Sequence, residues 1–190
     1  MNVHEEFATI DTLLASDAET RGVDAFALAL IKAERQMRKL FTYLVFQSGA
    51  FASADVAGLR NALAARKVYF RHFMSAWDEL YQRPLKEIVG ADHDRLRGVL
   101  KEAIEHRNKI FHGQLTTKYL SREELIAYVV QIRCWCGTLA AGAQQEVGYD
   151  GFGRNSFRKA VDAGLASRLL TKMTSIQDYE SLLAKMEKWP

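Results

Sequence analysis

The chain has few of the residues that break helices or link them covalently. Of its 190 residues only two are proline and two are cysteine, and Pro190 is the last residue. The cysteines, Cys134 and Cys136, are too close together for a usual zinc knuckle, and no second pair could complete four ligands. The sequence therefore predicts neither a disulfide scaffold nor a metal site, and it favours a reducing, intracellular setting.

Long hydrophobic runs and a strong charge of one sign are also missing. No apolar run approaches about 18 residues, so we expect no membrane-spanning segment. The N-terminus has early acidic residues and does not resemble a secretory signal. The formal net charge of +3 permits a nucleic-acid partner without requiring one. These features predict a cytoplasmic protein without a membrane partner.

What remains is rich in helix-forming residues. Alternating β-branched runs are absent, and apolar residues recur at spacings of three and four, so the sequence predicts an all-α fold. A length of 190 residues with 48% hydrophobic content fits one helical domain over residues 1–190. Residues from about 148 to 190 are expected to form a C-terminal extension packed on it.

Helix boundaries follow from capping residues and breaks in the apolar pattern. Asp24 is expected to cap a long second helix and Asp92 a fourth, while Ser121 and Glu124 form a capping box before a fifth. A weaker helix is expected to end near Ala163. The predicted helices cover about 5–15, 25–47, 56–81, 93–113, 122–146 and 176–188.

The fourth helix carries a charge at the centre of its apolar face. With 100° per residue, Arg107 falls in the middle of an arc of apolar side chains. A charge buried there without a partner costs several kcal/mol. Three solutions are open: a buried carboxylate, escape of the guanidinium to water, or a wet cleft at an interface. The arc consists of Leu96, Leu100, Ala103, Ile104, Ile110 and Phe111.

Two polar residues follow this arginine on a neighbouring face. Asn108 and His112 are separated by four positions and share one side of a helix. On a regular helix, however, His112 lies about 140° around from Arg107. The two can meet only if the helix end tightens or frays, or if two chains contribute to one cleft.

The stretch "RNKIFHG", from Arg107 to Gly113, resembles the R-x(4–6)-H motif of the HEPN superfamily, which includes many metal-independent endoribonucleases. The resemblance implies a HEPN-like helical bundle with extra C-terminal helices. It also implies a homodimer with a shared RNA cleft, and no cofactor. A second match runs from Arg66 to His72. It is interpreted as chance, because His72 would project to the far side of an uninterrupted helix.

The residue types of the motif suit RNA cleavage by the RNA's own 2′-hydroxyl. His112 can transfer protons, Arg107 can hold two phosphate oxygens, and Asn108 can orient the imidazole or bind phosphate. The expected products are a 2′,3′-cyclic phosphate and a 5′-hydroxyl. The resemblance favours a toxin or defence enzyme with an antitoxin or other regulatory partner.

Four further basic residues are candidate RNA contacts. Lys109 lies within the motif, and Arg154, Arg158 and Lys159 lie in the glycine-rich, aromatic segment "GFGRNSFRK", where phosphate binding and base stacking are both conceivable. An ordered loop that packs its aromatic side chains on the domain is the other interpretation. For the whole chain, the alternative function is a catalytically silent dimerisation module that binds a protein partner.

Overall fold

The computed structural model describes residues 3–113, 120–153 and 155–189. Within these ranges the secondary structure is helical apart from one isolated antiparallel bridge between Tyr81 and Leu169, which confirms the all-α prediction. The helices are α1 (Val3–Leu14), α2 (Arg21–Phe46), α3 (Val56–Ala64), α4 (Phe70–Leu80), α5 (Leu85–Val89), α6 (His93–Phe111), α7 (Arg122–Val147) and α8 (Ile176–Met186).

The two longest helices, α2 and α7, pack along each other at the centre of the bundle. Helix α7 also contacts α1, α5 and α6, and its Trp135 and Leu139 are completely buried. At Gly142 the backbone approaches α5 so closely that an added Cβ would lie 2.1 Å from the carbonyl oxygen of Ile88. In the described part of the chain, α7 alone has the length and apolar composition that could cross a membrane.

The start of α7 agrees with the predicted capping box, whereas the start of α2 does not agree with the prediction. Ser121 Oγ accepts the backbone N–H of Glu124 at 3.2 Å, and the Glu124 carboxylate accepts the N–H of Ser121 at 2.8 Å. Helix α2 begins three residues before Asp24, after Thr20. Asp24 therefore lies in the first turn, where a carboxylate favours the helix dipole, and it accepts the Thr20 hydroxyl at 2.7 Å.

The predicted third helix is wrong, because the chain breaks between α3 and α4. The backbone N–H of Lys67 donates to Glu187 Oε1 at 2.6 Å, and Arg66 pairs with the same carboxylate at 3.3 Å. The N–H of Tyr69 donates to Nδ1 of His72 at 3.1 Å. Side chains thus bind N–H groups that a continuous helix would bond internally. Arg66 and His72 hold this break in place.

The C-terminal segment packs into the same core through Tyr179 and Leu183 of α8. The weaker helix predicted to end near Ala163 is not formed in the described residues of this segment. Turns follow α7, and a short 3-10 turn covers Leu165–Arg168. The reason is tertiary: side chains of α2 and its C-cap bind this segment, and Gln47, the C-cap, donates to the carbonyl of Arg158 at 2.9 Å.

Candidate functional site

The apolar arc of α6 is buried at its start and open at its end. Leu96, Leu100 and Ala103 are fully buried, whereas Ile104 is half-buried and Phe111 is 63% exposed. The last turns of α6 therefore lie at the edge of the core. The residue in the middle of the arc, Arg107, falls at this transition.

Arg107 is half-buried in a small pocket formed by three helices. Its Nε atom is buried and has no hydrogen-bond partner in the described part of the chain. An unsatisfied buried N–H of a charged group is costly, so this arginine is held where it cannot be fully solvated. The pocket is lined by Leu30, Ala33 and Glu34 of α2, Phe70 of α4, and Ile104 and Arg107 of α6.

Glu34 contributes a carboxylate to the lining of this pocket, yet it does not neutralise the arginine. Among the described residues, no carboxylate oxygen lies within 4.0 Å of the Arg107 guanidinium. The described chain therefore does not use a buried ion pair to compensate for this charge. Glu34 itself was not singled out from the sequence. Its position between Ala33 and Met37 on the buried side of α2 is the signal that could have identified it.

The end of α6 keeps its backbone hydrogen bonding through His112, whose N–H donates to the carbonyl of Asn108 at 3.1 Å. His112 is the C-cap, with φ of −90° and ψ of 7°, and Gly113 follows with φ of +62°. Asn108 and His112 are exposed on one side of α6, about 140° from Arg107 on a regular helix. Within one chain, the two outer members of the motif therefore do not share a face.

Exposed apolar side chains occur close in sequence to the residues that line the Arg107 pocket. In the described part of the chain six large hydrophobic residues are exposed, and three of them lie within four positions of a lining residue. Ile31 is 49% exposed next to Leu30, Tyr69 is 52% exposed next to Phe70, and Phe111 follows one turn after Arg107. We call Ile31, Tyr69 and Phe111 the apolar rim. Its members lie in α2, in α6 and at the residue that caps the start of α4.

A second histidine, His106, forms a buried cluster on the other side of α6. It is only 7% exposed, its Nε2 lies 3.6 Å from Glu102, and its ring meets the edge of Tyr128 at 5.6 Å. Burial, together with a hydrogen bond to Glu102, raises the pKa of Tyr128 to about 12. The sequence reasoning missed His106, although its position three residues after buried Ala103 could have indicated it. The cluster packs α6 against α7.

The four basic residues predicted to contact RNA differ in whether the fold already binds their side chains. Lys109 is half-buried on α6. Lys159 donates to the carbonyls of Phe46 and Ser48 at 2.6 and 2.8 Å, so it binds the C-terminal end of α2. Arg158 donates to the carbonyl of Gly148. Arg154 lies outside the described residues. For Arg158 and Lys159 the structure thus provides a packing role, while RNA contact stays a prediction.

No cluster of three potential metal ligands occurs among the described histidine, cysteine and acidic residues. Cys134 and Cys136 are free thiols, and burial raises the pKa of the Cys136 thiol well above its usual range. A buried neutral thiol behaves as a small apolar side chain. We therefore interpret the two cysteines of α7 as residues that pack in or against the hydrophobic core.

Comparison of the chain with family models, curated proteins and solved structures finds no match.

Proposed function

We propose that the chain is a metal-independent endoribonuclease of the HEPN type that acts as a homodimer. Each active site would combine Arg107 of one protomer with Asn108 and His112 of the other. The observation that carries this proposal is the half-buried Arg107, whose Nε has no partner among the described residues. A half-buried cation without an ion-pair partner is suited to bind an anionic substrate.

A second copy of the chain would answer two needs of this surface. The apolar rim exposes Ile31, Tyr69 and Phe111, which are close in sequence to the lining of the Arg107 pocket, and exposed large apolar side chains are common in protein interfaces. Covering the rim would remove apolar surface from water. The same contact would bring the α6 of the second protomer to the pocket. Its His112 could then reach Arg107, which His112 of the first protomer does not.

The proposed chemistry begins with the 2′-hydroxyl of the RNA. As its proton passes to bulk solvent, its oxygen attacks the adjacent phosphorus, and the bond to the 5′ oxygen of the next nucleotide breaks. Arg107 would stabilise the extra negative charge on the phosphoryl oxygens. His112 would protonate the leaving 5′ oxygen, and Asn108 would orient the imidazole. The products are a 2′,3′-cyclic phosphate and a 5′-hydroxyl, with no metal or water consumed in this step.

The alternative is a silent dimerisation module, and one observation favours it. Arg107 and His112 lie on different sides of a regular α6, so a dimer with another geometry would leave them apart. In that case the apolar rim would still bind a second copy or a protein partner. The two functions differ in whether RNA is cleaved.

The deciding experiment incubates the purified chain with RNA in the presence of EDTA. We expect cleavage products that end in a 2′,3′-cyclic phosphate. Arg107→Ala and His112→Ala should each lower the cleavage rate by about 10²-fold or more, because each removes a group that acts on the reacting atoms.

Two control variants each remove an arginine or a histidine from a position outside the proposed site. Arg97 is an exposed arginine earlier on α6, and His4 is an exposed histidine on α1. Arg97→Ala and His4→Ala should cleave as the wild type does. If the wild type and all four variants gave the same rate, the nuclease proposal would be wrong, and the dimerisation module would remain.

A further inference from the structure

A second cleft, which shares one lining residue, Glu34, with the Arg107 pocket, carries a concentration of positive charge. It has a volume of about 490 Å³ and lies between α2, α3, the break before α4 and residues 155–157. Four of its lining side chains are cationic and one is anionic: Arg38, Lys39, Arg60 and Arg66, with Glu34. This volume falls within the range of about 300–1,000 Å³ that is usual for small-molecule sites.

The cations of this cleft differ in how far the fold already uses them. Lys39 donates to the carbonyls of Phe152 and Gly153 at 3.0 and 2.7 Å, and Arg66 pairs with Glu187 at 3.3 Å. These two hold the cleft together. The other two cations, Arg38 and Arg60, are the ones that could bind a ligand.

Arg38 and Arg60 are exposed, and neither belongs to an ion pair in the described part of the chain. Arg60 stacks its guanidinium over the ring of Phe157 at 5.2 Å, which fixes its position while leaving its N–H donors unused by described residues. Stacked or pre-positioned guanidinium groups bind phosphate well, since their planar donors match two phosphate oxygens.

The rest of the cleft supplies an apolar wall and a polar floor. Leu63 and Val68 are half-buried beside the cationic groups. On the floor, the hydroxyls of Thr42 and Ser156 are 2.8 Å apart and almost completely buried. A ligand that matched all of these would be anionic at one end and flat or apolar at the other.

We propose that this cleft binds a mononucleotide, with its phosphates on Arg38 and Arg60 and its base and sugar against the wall that contains Leu63 and Val68. A free phosphate would leave that wall uncovered, and a long polyanion would not need it. The proposal goes beyond the nuclease function and does not rest on it, because none of Arg107, Asn108 and His112 lines this cleft.

The test is isothermal titration calorimetry of the full chain with ATP in magnesium-free buffer. We expect saturable binding of one ATP per chain. Arg38→Ala and Arg60→Ala should each weaken the affinity about tenfold or more, the effect of losing a charge-assisted hydrogen bond. Arg97→Ala, which removes an exposed arginine near the start of α6 that does not line the cleft, should change the affinity less than about twofold.

A steric variant tests the location without changing charge. Ala64 lines the cleft, whereas the neighbouring Ala65 is also exposed and does not. Ala64→Trp should abolish ATP binding, and Ala65→Trp should not. Thermal unfolding of each variant identifies those that fold, and Ala64→Trp and Arg38→Ala probe the cleft independently should Arg60→Ala prove unstable.

Four results would each overturn the proposal. The first is no ATP binding at millimolar concentration, and the second is unchanged binding in the folded variants at Arg38, Arg60 and Ala64. The third is tripolyphosphate binding as tightly as ATP, because the apolar wall would then contribute nothing. The fourth is a single-stranded RNA oligomer that competes for the cleft while ATP fails to bind, which would assign it to a macromolecule.

Discussion

Two inactive variants of the proposed nuclease should regain activity when their protomers are mixed. The variants are Arg107→Ala and His112→Ala. Helix α6 keeps its backbone hydrogen bonds through His112, so these two side chains lie about 140° apart on one protomer. If they act together, each site must take its arginine from one chain and its histidine from the other.

The expected recovery follows from this arrangement. Each pure variant lacks one residue in both sites and should lose about 10²-fold or more in rate. When protomers reassort at random, about half of the dimers are mixed, and a mixed dimer has one site with both substitutions and one with none. The mixture should therefore recover about a quarter of the wild-type activity.

The assay uses a fluorogenic RNA in EDTA, with the two variants unfolded together, refolded and compared with each variant refolded alone. A mixture of Arg107→Ala with the double variant Arg107→Ala, His112→Ala is the control, because none of its dimers contains an intact site. Failure of the first mixture to exceed its components, when the refolded wild type is active, would refute a site shared between protomers.

Two further predictions concern stability. Gly142→Ala should lower the free energy of unfolding by about 2 kcal/mol in urea titrations, because its Cβ would lie 2.1 Å from the carbonyl oxygen of Ile88. The second concerns the pH dependence of Glu187, whose carboxylate accepts the N–H of Lys67, a bond that holds its pKa below the usual 4.5. Its stabilisation is present above pH 4.5 and is lost as the pH falls through the lower folded value. Glu187→Gln should therefore lower the free energy of unfolding at pH 7. In urea titrations this difference from the wild type should shrink as the pH falls to about 3, where most of a normal glutamate is protonated.

Each of these predictions has a control at a nearby position. A Cβ added at Gly137 of α7 would meet no described neighbour within 4 Å, so Gly137→Ala should stabilise by up to about 1 kcal/mol. Equal effects at Gly142 and Gly137 would contradict the packing argument. Glu180 is exposed on α8, and Glu180→Gln should leave the pH dependence unchanged. A pH-independent effect of Glu187→Gln would show that its charge is not what stabilises the break.

Local sequence patterns predicted helix boundaries well where the residues that form the boundary are close in sequence. The capping box of Ser121 and Glu124 spans three residues, and the structure has it as expected. The break before α4 could not be predicted in this way. It depends on Glu187, which is 120 residues from Lys67 along the chain, and no local pattern contains that contact.

The candidate site shows the same division. The helical wheel correctly predicted that Arg107 lies where apolar side chains enter the core. It could not identify Glu34 as the facing carboxylate, because α2 and α6 are brought together only by folding. Nor could it identify Tyr128 of α7 as the partner of His106, because that contact also forms only on folding.

The sequence by itself determined the helical class, the face of α6 that enters the core and the place of a charge on that face. These follow from residue spacing and helix geometry, which act over a few positions. Only the tertiary structure decided that Arg107 has no carboxylate partner among the described residues, that the side chains of the apolar rim stay exposed, and that Arg38 and Arg60 line one cleft. Such facts depend on which distant segments pack together, because burial and pairing are properties of the assembled core.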